Sequence, residues 1–195
     1  MKRPNIYLPM LALGFALGVT SNLLGADPTF TSIDFPGAAS TQAFGINPRG
    51  DVVGVYVSAG LTHGFLLSGG SFTTIDFPGA TLTLARGINP SGDIVGFYIS
   101  AGVSHAFLLS AGAFTSFDFP GATFTRPRGI NPRGDIVGFY GSAGLTHGFL
   151  LSGGQFTTID IPGATLTDAE KINPRGDTVG FYVSAGLTHG FLLSR

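Results

Sequence analysis

The 195-residue chain contains no cysteine, no tryptophan and few charged residues. The absence of cysteine excludes a disulfide scaffold, a thiol nucleophile and a cysteine-ligated zinc site. There are 10 Lys and Arg against 11 Asp and Glu, so there is no basic excess with which to bind nucleic acid. Only 11% of residues are charged while 44% are hydrophobic, a balance that argues against a disordered chain. The 31 glycines follow no G-X-Y period, which excludes collagen.

The N-terminus has the order of a targeting segment. Two basic residues precede an apolar run over 6–19, and small residues follow as far as Ala26. This order is typical of a secretory signal peptide over residues 1–26, cleaved after Ala26 or after Ser21. The alternative is an uncleaved anchor, which Pro9 weakens. Polar residues interrupt every later apolar run, so we expect a secreted or cell-envelope protein with no membrane span after cleavage.

The rest of the chain, residues 27–195, is a single domain made of four sequence repeats. Equivalent Phe, Asp, Asn and His residues recur every 42 residues without insertion or deletion. Each unit contains the segments F-T-T-I-D-F-P-G-A, G-I-N-P-R-G-D-I-V-G-F-Y and S-A-G-L-T-H-G-F-L-L, with small variations. The repeats cover 30–71, 72–113, 114–155 and 156–195.

Each unit has the signals of four short strands and none of a helix. In the second unit the strand runs are Leu84–Ile88, Ile94–Ile99, His105–Leu109 and Phe114–Phe119. An Asn-Pro-Ser-Gly turn follows the first run, a longer loop begins at Ser100, and Ala111-Gly112 forms a two-residue hairpin turn. Four strands in about 40–45 residues, apolar on both faces, predict an all-β, four-bladed β-propeller. A β-solenoid is the alternative.

The blade boundary follows from the one connection that is not hairpin-like. Pro78-Gly79-Ala80-Thr81 is longer than the other connections, and its proline cannot donate to a strand ladder. We therefore expect each blade to run from a G-I-N strand to the following T-I-D-F strand. The last blade then lacks its fourth strand, and the leftover N-terminal strand Phe30–Phe35 is predicted to pair with His189–Leu193 and close the ring.

The hairpin register also predicts recurring polar pairs. If Ser110 faces Ala113 across the Ala111-Gly112 turn, His105 faces Asp118 five residues further on. A His–Asp pair in every blade resembles the structural polar pair of WD-repeat propellers, in which a carboxylate satisfies a half-buried imidazole. The predicted structural pairs are His63–Asp76, His105–Asp118, His147–Asp160 and, across the closure, His189–Asp34.

The core of the unit resembles a known family of repeats. The pattern G-I-N-x-x-G-x-x-V-G followed by His105-Ala106-Phe107, or by His-Gly-Phe in the other units, is similar to the HAF family of extracellular bacterial repeats. The match runs from about Phe30 to the end of the chain, and F-P-G-A is where it departs from the family. The resemblance implies an exported β-repeat protein and brings no activity with it.

Four symmetric copies of one polar pair do not form a catalytic site. Catalysis needs a unique arrangement of acid, base and nucleophile, so we expect a protein that is not an enzyme. Each Asn-Pro-x-Gly-Asp turn has a single carboxylate, which is too little for a calcium site, and we expect neither a metal nor a cofactor. The Arg-Gly-Asp tripeptide of three turns is a weak adhesion signal, since one turn has Ser91 in place of the arginine. The turn carboxylates are Asp51, Asp93, Asp135 and Asp177.

The positions at which the repeats differ are the candidate ligand surface. Most changes of charge cluster at the blade crossing and at the start of the first strand, which a propeller places around one mouth of its channel. The alternative is drift at solvent-exposed loop positions. The candidate residues are Phe44, Arg86, Arg126, Arg128, Asp168 and Glu170.

The leading hypothesis is therefore a non-catalytic, exported binding module for a carbohydrate or a cell-surface partner, because repeated sites on a rigid ring suit multivalent binding. The alternative is a structural repeat protein of the envelope or extracellular matrix. Four blades is the low end for propellers, so both a monomer and a homo-oligomer that forms a larger ring are consistent with the sequence.

Overall fold

A computed structural model describes residues 29–195, so the predicted signal peptide lies outside the described residues. Residues 33–195 form one compact unit. The described residues contain fifteen β-strands and no helix, which makes the fold all-β. The strands are β1 (Ser40–Ile46), β2 (Val52–Ser58), β3 (Leu61–Ser68), β4 (Ser71–Ile75), β5 (Leu82–Ile88), β6 (Ile94–Ser100), β7 (Val103–Ser110), β8 (Ala113–Phe117), β9 (Phe124–Ile130), β10 (Ile136–Ser142), β11 (Leu145–Ser152), β12 (Gln155–Ile159), β13 (Leu166–Ile172), β14 (Thr178–Ser184) and β15 (Leu187–Leu193).

The strands pair antiparallel in sequence order and follow the repeat. We call β1–β4, β5–β8 and β9–β12 sheets 1 to 3, each with four strands, and the three strands β13–β15 sheet 4. One parallel bridge, between Thr146 and Leu166, joins sheets 3 and 4. Each sheet begins with the G-I-N strand, and sheets 1 to 3 end with the T-I-D strand, as the repeat predicts.

The register of the predicted hairpin is also the one observed. Ser110 pairs with Ala113, and the ladder continues to Ala106 opposite Phe117. The fourth strand ends there, two residues earlier than predicted. The backbone then turns away, so that Phe119 leaves this sheet and stacks on Tyr140 of the next one.

The longer loop predicted at Ser100 is wrong, because the structure has a two-residue turn in its place. Ser100 pairs directly with Val103, and the turn residues Ala101 and Gly102 have φ of 49° and 78°. Two consecutive left-handed residues give the turn whose twist suits an antiparallel hairpin. An alanine is an uncommon choice for such a φ, but the signal was present, since the predicted turn Ala111-Gly112 has the same residue pair and the same alanine φ of 49°.

This turn makes a testable prediction about stability. Ala101 holds a left-handed φ that glycine adopts without strain, so Ala101→Gly should raise the free energy of unfolding by about 0.5–1 kcal/mol. Urea denaturation followed by circular dichroism measures the change. Gly102→Ala is the matched control and should lower stability, since it adds strain at the neighbouring position. A destabilised Ala101→Gly variant would contradict this account of the turn.

Consecutive sheets pack face to face and bury a shared core. Val53 and Ile75 of sheet 1 pack with Ile88, Ile94 and Phe107 of sheet 2, and equivalent clusters lie between sheets 2 and 3 and between sheets 3 and 4. A completely buried phenylalanine such as Phe107 contributes about 1.5–3 kcal/mol of hydrophobic stabilisation. Both faces of the middle sheets are therefore buried, as the apolar strand pattern predicted.

The predicted closure by strand Phe30–Phe35 is not what this structure shows. Residues 29–35 form no strand, and among the described residues β15 pairs only with β14. The Phe35 ring stacks on Tyr56 at 3.6 Å between centroids, and the Phe35 amide donates to Thr41 Oγ1 at 2.9 Å. Phe77 makes the same contacts with sheet 2. The segment before each first strand is thus held by the sheet that follows it, and Phe35 is held by sheet 1.

Candidate functional site

Each first strand of a sheet contains a β-bulge at the same place. One residue of β1, β5, β9 and β13 has no opposite partner, because the register shifts by one across it. A bulge bends the strand and changes the direction of the extra side chain. The bulged residues are Phe44, Arg86, Arg128 and Glu170.

These bulged side chains meet at a shared cavity. The four of them and Lys171 line a space of about 120 Å³. A second space of about 380 Å³ is lined by Phe44, Arg128, the Gly-Ile pairs of β1, β5 and β9, and Lys171-Ile172 of β13. The first strands of all four sheets therefore line a common space, and the bulged residues line its smaller part.

Arg128 is neutralised by a carboxylate of the next sheet. Its Nε and Nη2 donate to Asp168 Oδ2 at 3.2 and 2.8 Å, and its guanidinium also covers the Phe139 ring. Asp168 is 3% exposed, and its Oδ1 is buried without a hydrogen-bond donor. Burial raises the pKa of Asp168, and the hydrogen bonds from Arg128 act in the opposite direction. Asp168 therefore balances Arg128 from inside the protein and is not an exposed contact for a ligand.

Arg86 occupies the same place one sheet earlier but has no such partner. The residue equivalent to Asp168 in the following sheet is Arg126, so a cation lies where Arg128 has its anion. The Arg86 guanidinium lies 4.3 Å above the Phe44 ring, and its buried Nε has no hydrogen-bond acceptor within the described structure. Burial first, and then the charge of Arg128, lower the pKa of Arg86. Asp168 and Glu170 oppose this shift from a distance, so the positive charge of Arg86 is half-buried, lines the cavity and has no carboxylate within ion-pair distance among the described residues.

Arg126 points away from the cavity. Its Nε donates to Ser104 Oγ at 3.1 Å, and its guanidinium lies over Phe97 and Phe124. Burial, followed by the charge of Arg128, lowers its pKa. The predicted ligand surface is therefore divided: Phe44, Arg86, Arg128 and Glu170 line the cavity, whereas Arg126 and Asp168 pack between sheets.

The sequence did not place Lys171 in the candidate surface, although it lines both spaces. The signal was present, since Lys171 stands where the other units have Gly45, Gly87 and Gly129. Since Asp168 neutralises Arg128, the smaller cavity has two further cations, Arg86 and Lys171, against the one anion Glu170 in its lining. The cavity is therefore suited to an anion.

Three of the four predicted His–Asp pairs are in contact. The Nδ1 atoms of His63, His105 and His147 lie 2.9, 2.7 and 2.8 Å from an Asp oxygen. Each imidazole also lies against the tyrosine opposite it in the sheet, as His105 does against Tyr98. The fourth predicted pair is not formed, and His189 has no carboxylate within ion-pair distance among residues 29–195. The contacts are His63–Asp76, His105–Asp118 and His147–Asp160.

The turn carboxylates are held by their own turns. Asp51 Oδ2 accepts from Asn47 Nδ2 at 2.8 Å and from Arg49 Nε at 3.0 Å, and Asp51 Oδ1 accepts from Ser68 Oγ at 2.5 Å. The hydrogen bonds from Ser68 and Asn47 lower the pKa of Asp51. The arginine and aspartate of this Arg-Gly-Asp tripeptide therefore bond to each other. Within residues 29–195 no group of three or more His, Asp or Glu side chains lies close enough to hold a metal ion.

Among the described residues, none forms a helix with the length and hydropathy that crossing a membrane requires.

No protein-family model and no curated protein sequence is similar to this chain. Similar solved structures include a streptogramin B lyase, at 16% identity and a TM-score of 0.49, with 80% of this chain and 55% of that chain covered. A catalytically inactive virginiamycin B lyase from Staphylococcus aureus with quinupristin has 14% identity, a TM-score of 0.47 and coverages of 77% and 55%. The selenomethionine-substituted lyase of the same organism has 13% identity, a TM-score of 0.45 and coverages of 76% and 55%. The chain spans 55% of the length of each.

The similar solved structures are enzymes, and this contradicts the prediction that the chain is not an enzyme. The prediction assumed that a repeat leaves no room for a unique constellation. The cavity shows the flaw in that assumption, because the four repeats place four different residue types there: Phe44, Arg86 or Arg128, Glu170 and Lys171.

Proposed function

We propose that the chain is an exported β-repeat module that binds a carboxylate-bearing carbohydrate in the cavity of its bulged residues. The observation that carries this proposal is the Arg86 guanidinium, which lines the cavity and has a buried Nε without an acceptor. A buried donor normally has a partner. A carboxylate bound in the cavity that Arg86 lines supplies the counter-charge that this guanidinium lacks.

A carboxylate is the anion that fits this position best. Arginine presents parallel donors in a rigid fork that matches the two oxygens of a carboxylate. Lys171 lines the same cavity and adds a second cation, and the two together outweigh the single carboxylate of Glu170. Arg128 is already bound to Asp168, so Arg86 is the arginine that is left for the ligand.

The ring of Phe44 favours a sugar as the carrier of that carboxylate. It lines the cavity beside the guanidinium of Arg86, which lies 4.3 Å above its centroid. An aromatic side chain gives a rigid apolar contact at low entropic cost, and the apolar face of a sugar ring packs on such a surface. A uronic acid combines this face with the carboxylate.

The remaining parts of the proposal concern the scaffold. We infer that the sheets are blades of a β-propeller of the HAF type, with the cavity in the central channel. The four first strands around one space support this arrangement. Export is inferred from the order of residues 1–26.

Calorimetric titration with an oligosaccharide of uronic acids tests the proposal. Arg86→Gln removes the cation but keeps most of the side chain, and should weaken binding about tenfold, which corresponds to about 1.4 kcal/mol. The neutral oligosaccharide of the same length should bind the native protein no more tightly than the acidic oligosaccharide binds Arg86→Gln.

Arg133→Gln is the matched control. It removes an arginine that bonds to its own turn residue Asp135, outside the cavity lining, and should leave the affinity unchanged. Equal binding of the acidic and neutral sugars, or full affinity in Arg86→Gln, would disprove a carboxylate site at Arg86.

A structural role in the envelope or matrix is the second candidate function. Its support is the exposed apolar surface at the two end faces of the sheet stack, where Ile46 and Leu192 are more than half exposed. Surfaces of this kind favour association between molecules.

A further inference from the structure

The last sheet ends in an apolar face that nothing in the described structure covers. Val137 and Leu150 of sheet 3 are 0% and 2% exposed, because sheet 4 lies on them. The equivalent residues of sheet 4, Val179 and Leu192, are 44% and 66% exposed. The same side chains that form the core between two sheets are therefore free at the C-terminal end.

The first sheet ends in the complementary face. Ile88 of sheet 2 is buried under sheet 1, whereas the equivalent Ile46 of sheet 1 is 69% exposed. The outer part of this face is already covered, since Ile33 and Phe35 pack against its core. They lie on sheet 1 as Ile75 and Phe77 lie on sheet 2, in the position of the outer strand of a preceding sheet.

The hydrogen bonds that join the turn of one sheet to the turn of the next also stop at sheet 4. Arg133 Nη2 donates to the carbonyl of Arg175 at 3.2 Å, and Arg49 Nη1 donates to the carbonyl of Pro90, so each of these turns bonds to the turn of the next sheet. The Arg175 side chain is 82% exposed. A groove of about 320 Å³ on this face is lined by Arg175, Val179 and Leu192 among others. It lies where the first strand of a following sheet would pack.

Sheet 4 also lacks its outer strand, and the N-terminal segment has the sequence of one. Residues 30–34 read F-T-S-I-D, against F-T-T-I-D in the second and fourth units. In sheet 1, Leu66 pairs with Thr73 and Gly64 with Ile75. The same register places Thr31 opposite Leu192 and Asp34 opposite His189.

We propose that the occupant of both faces is a second copy of this chain. The two copies join head to tail twice, so that sheet 4 of each packs on sheet 1 of the other and a two-fold ring of eight sheets closes. Each copy supplies residues 30–34 as the outer strand of its partner's sheet 4. Every interface then repeats the one already present between sheets within the chain, and no exposed end remains. This proposal is independent of the proposed ligand.

Cysteine cross-linking tests the proposal directly, because the chain has no cysteine of its own. The full chain is prepared as two single variants, Thr31→Cys and Leu192→Cys. The two are mixed in denaturant, refolded together and then oxidised. Directly opposite residues of antiparallel strands have the Cα separation that a disulfide needs. We expect a covalent dimer on a non-reducing gel, and a mass of twice the single chain in light scattering of the unmodified protein.

The matched control replaces Thr31→Cys by Thr115→Cys. Thr115 has the same place in β8 but already pairs with Leu108, so its mixture with Leu192→Cys should not cross-link. Val179→Asp should dissociate the dimer to a monomer with unchanged circular dichroism. A single-chain mass, an internal disulfide in the Thr31→Cys/Leu192→Cys double variant, or filaments that lengthen with concentration would each overturn the closed dimer.

Discussion

Replacing Gly96 by alanine should lower the free energy of unfolding by about 3 kcal/mol. Gly96 lies in β6 opposite the bulge of β5, where the backbone of the first strand presses against the second. A Cβ at this position would lie 1.9 Å from the Leu84 carbonyl oxygen and 2.9 Å from the Phe107 ring. The oxygen belongs to the strand ladder and cannot move away alone, so the bulge itself must shift. The equivalent Gly54, Gly138 and Gly180 have the same contact, at 2.0, 2.3 and 1.9 Å.

Urea denaturation at fixed pH measures this loss, and Gly148→Ala is its control. Gly148 is also a strand glycine, and a Cβ there would lie 2.8 Å from the Ile159 carbonyl oxygen. The equivalent position of sheet 2 is already an alanine, Ala106, packed without exposure, so a strand of this sheet type accommodates the added methyl group. Its replacement should therefore cost clearly less than Gly96→Ala. Equal losses of unfolding free energy at the two positions would mean that an added Cβ destabilises any strand glycine alike. The bulge would then impose no additional steric restriction.

Replacing Asn131 by alanine should lower the free energy of unfolding by about 3 kcal/mol. Asn131 is 1% exposed, and its Oδ1 accepts from the backbone amides of Arg133 and Asp135 at 2.9 and 3.0 Å. Its Nδ2 donates to Asp135 Oδ2 at 2.8 Å and to the carbonyl of Asn173 in the next sheet at 3.4 Å. The alanine leaves the two amides and the carboxylate of this buried turn without these partners.

The same variant should change the response to acid. Burial raises the pKa of Asp135, but hydrogen bonds from Ser152, Asn131 and Arg133 outweigh it and hold the pKa below its ordinary value. A carboxylate whose pKa is lowered by folding stabilises the protein above its unfolded pKa, and this contribution is lost as the pH falls through the folded pKa. The stability gap between native protein and Asn131→Ala should therefore narrow below about pH 4.

Ser152→Ala is the control for this pair of measurements. Ser152 Oγ donates one hydrogen bond, of 2.6 Å, to Asp135 Oδ1, so its loss should cost about 1 kcal/mol. A gap for Asn131→Ala that stays constant from pH 7 to pH 3 would show that the amide acts on the backbone alone and not on the carboxylate.

The sequence was sufficient for the features that short-range chemistry determines. The Ala111-Gly112 turn fixed the register of its hairpin, and with it the contact between His105 and Asp118. The two-sided apolar strands predicted sheets buried on both faces. Each of these inferences needed only the turn residues and the alternation of neighbouring side chains.

The sequence was not sufficient where a bulge or a distance between sheets decides the outcome. A bulge adds one residue and reverses which side chains face the cavity, so the different fates of Arg126 and Arg128 were not visible in the strand pattern. The predicted ring closure by the N-terminal strand was wrong for another reason. The repeat specifies the contact between neighbouring sheets, but it does not specify how many such contacts complete a turn.

The hydrogen bond from one turn to the next has a consequence for how such a chain can change its length. Asn47 Nδ2 donates to the Asn89 carbonyl at 3.3 Å, as Asn131 does to Asn173, with a spacing of 42 residues in both cases. An in-frame duplication or deletion of one such unit keeps the backbone spacing and the apolar strand faces at its new junction. Whole units can therefore be added or removed while the strand register at each junction is kept, whereas a change by part of a unit breaks it.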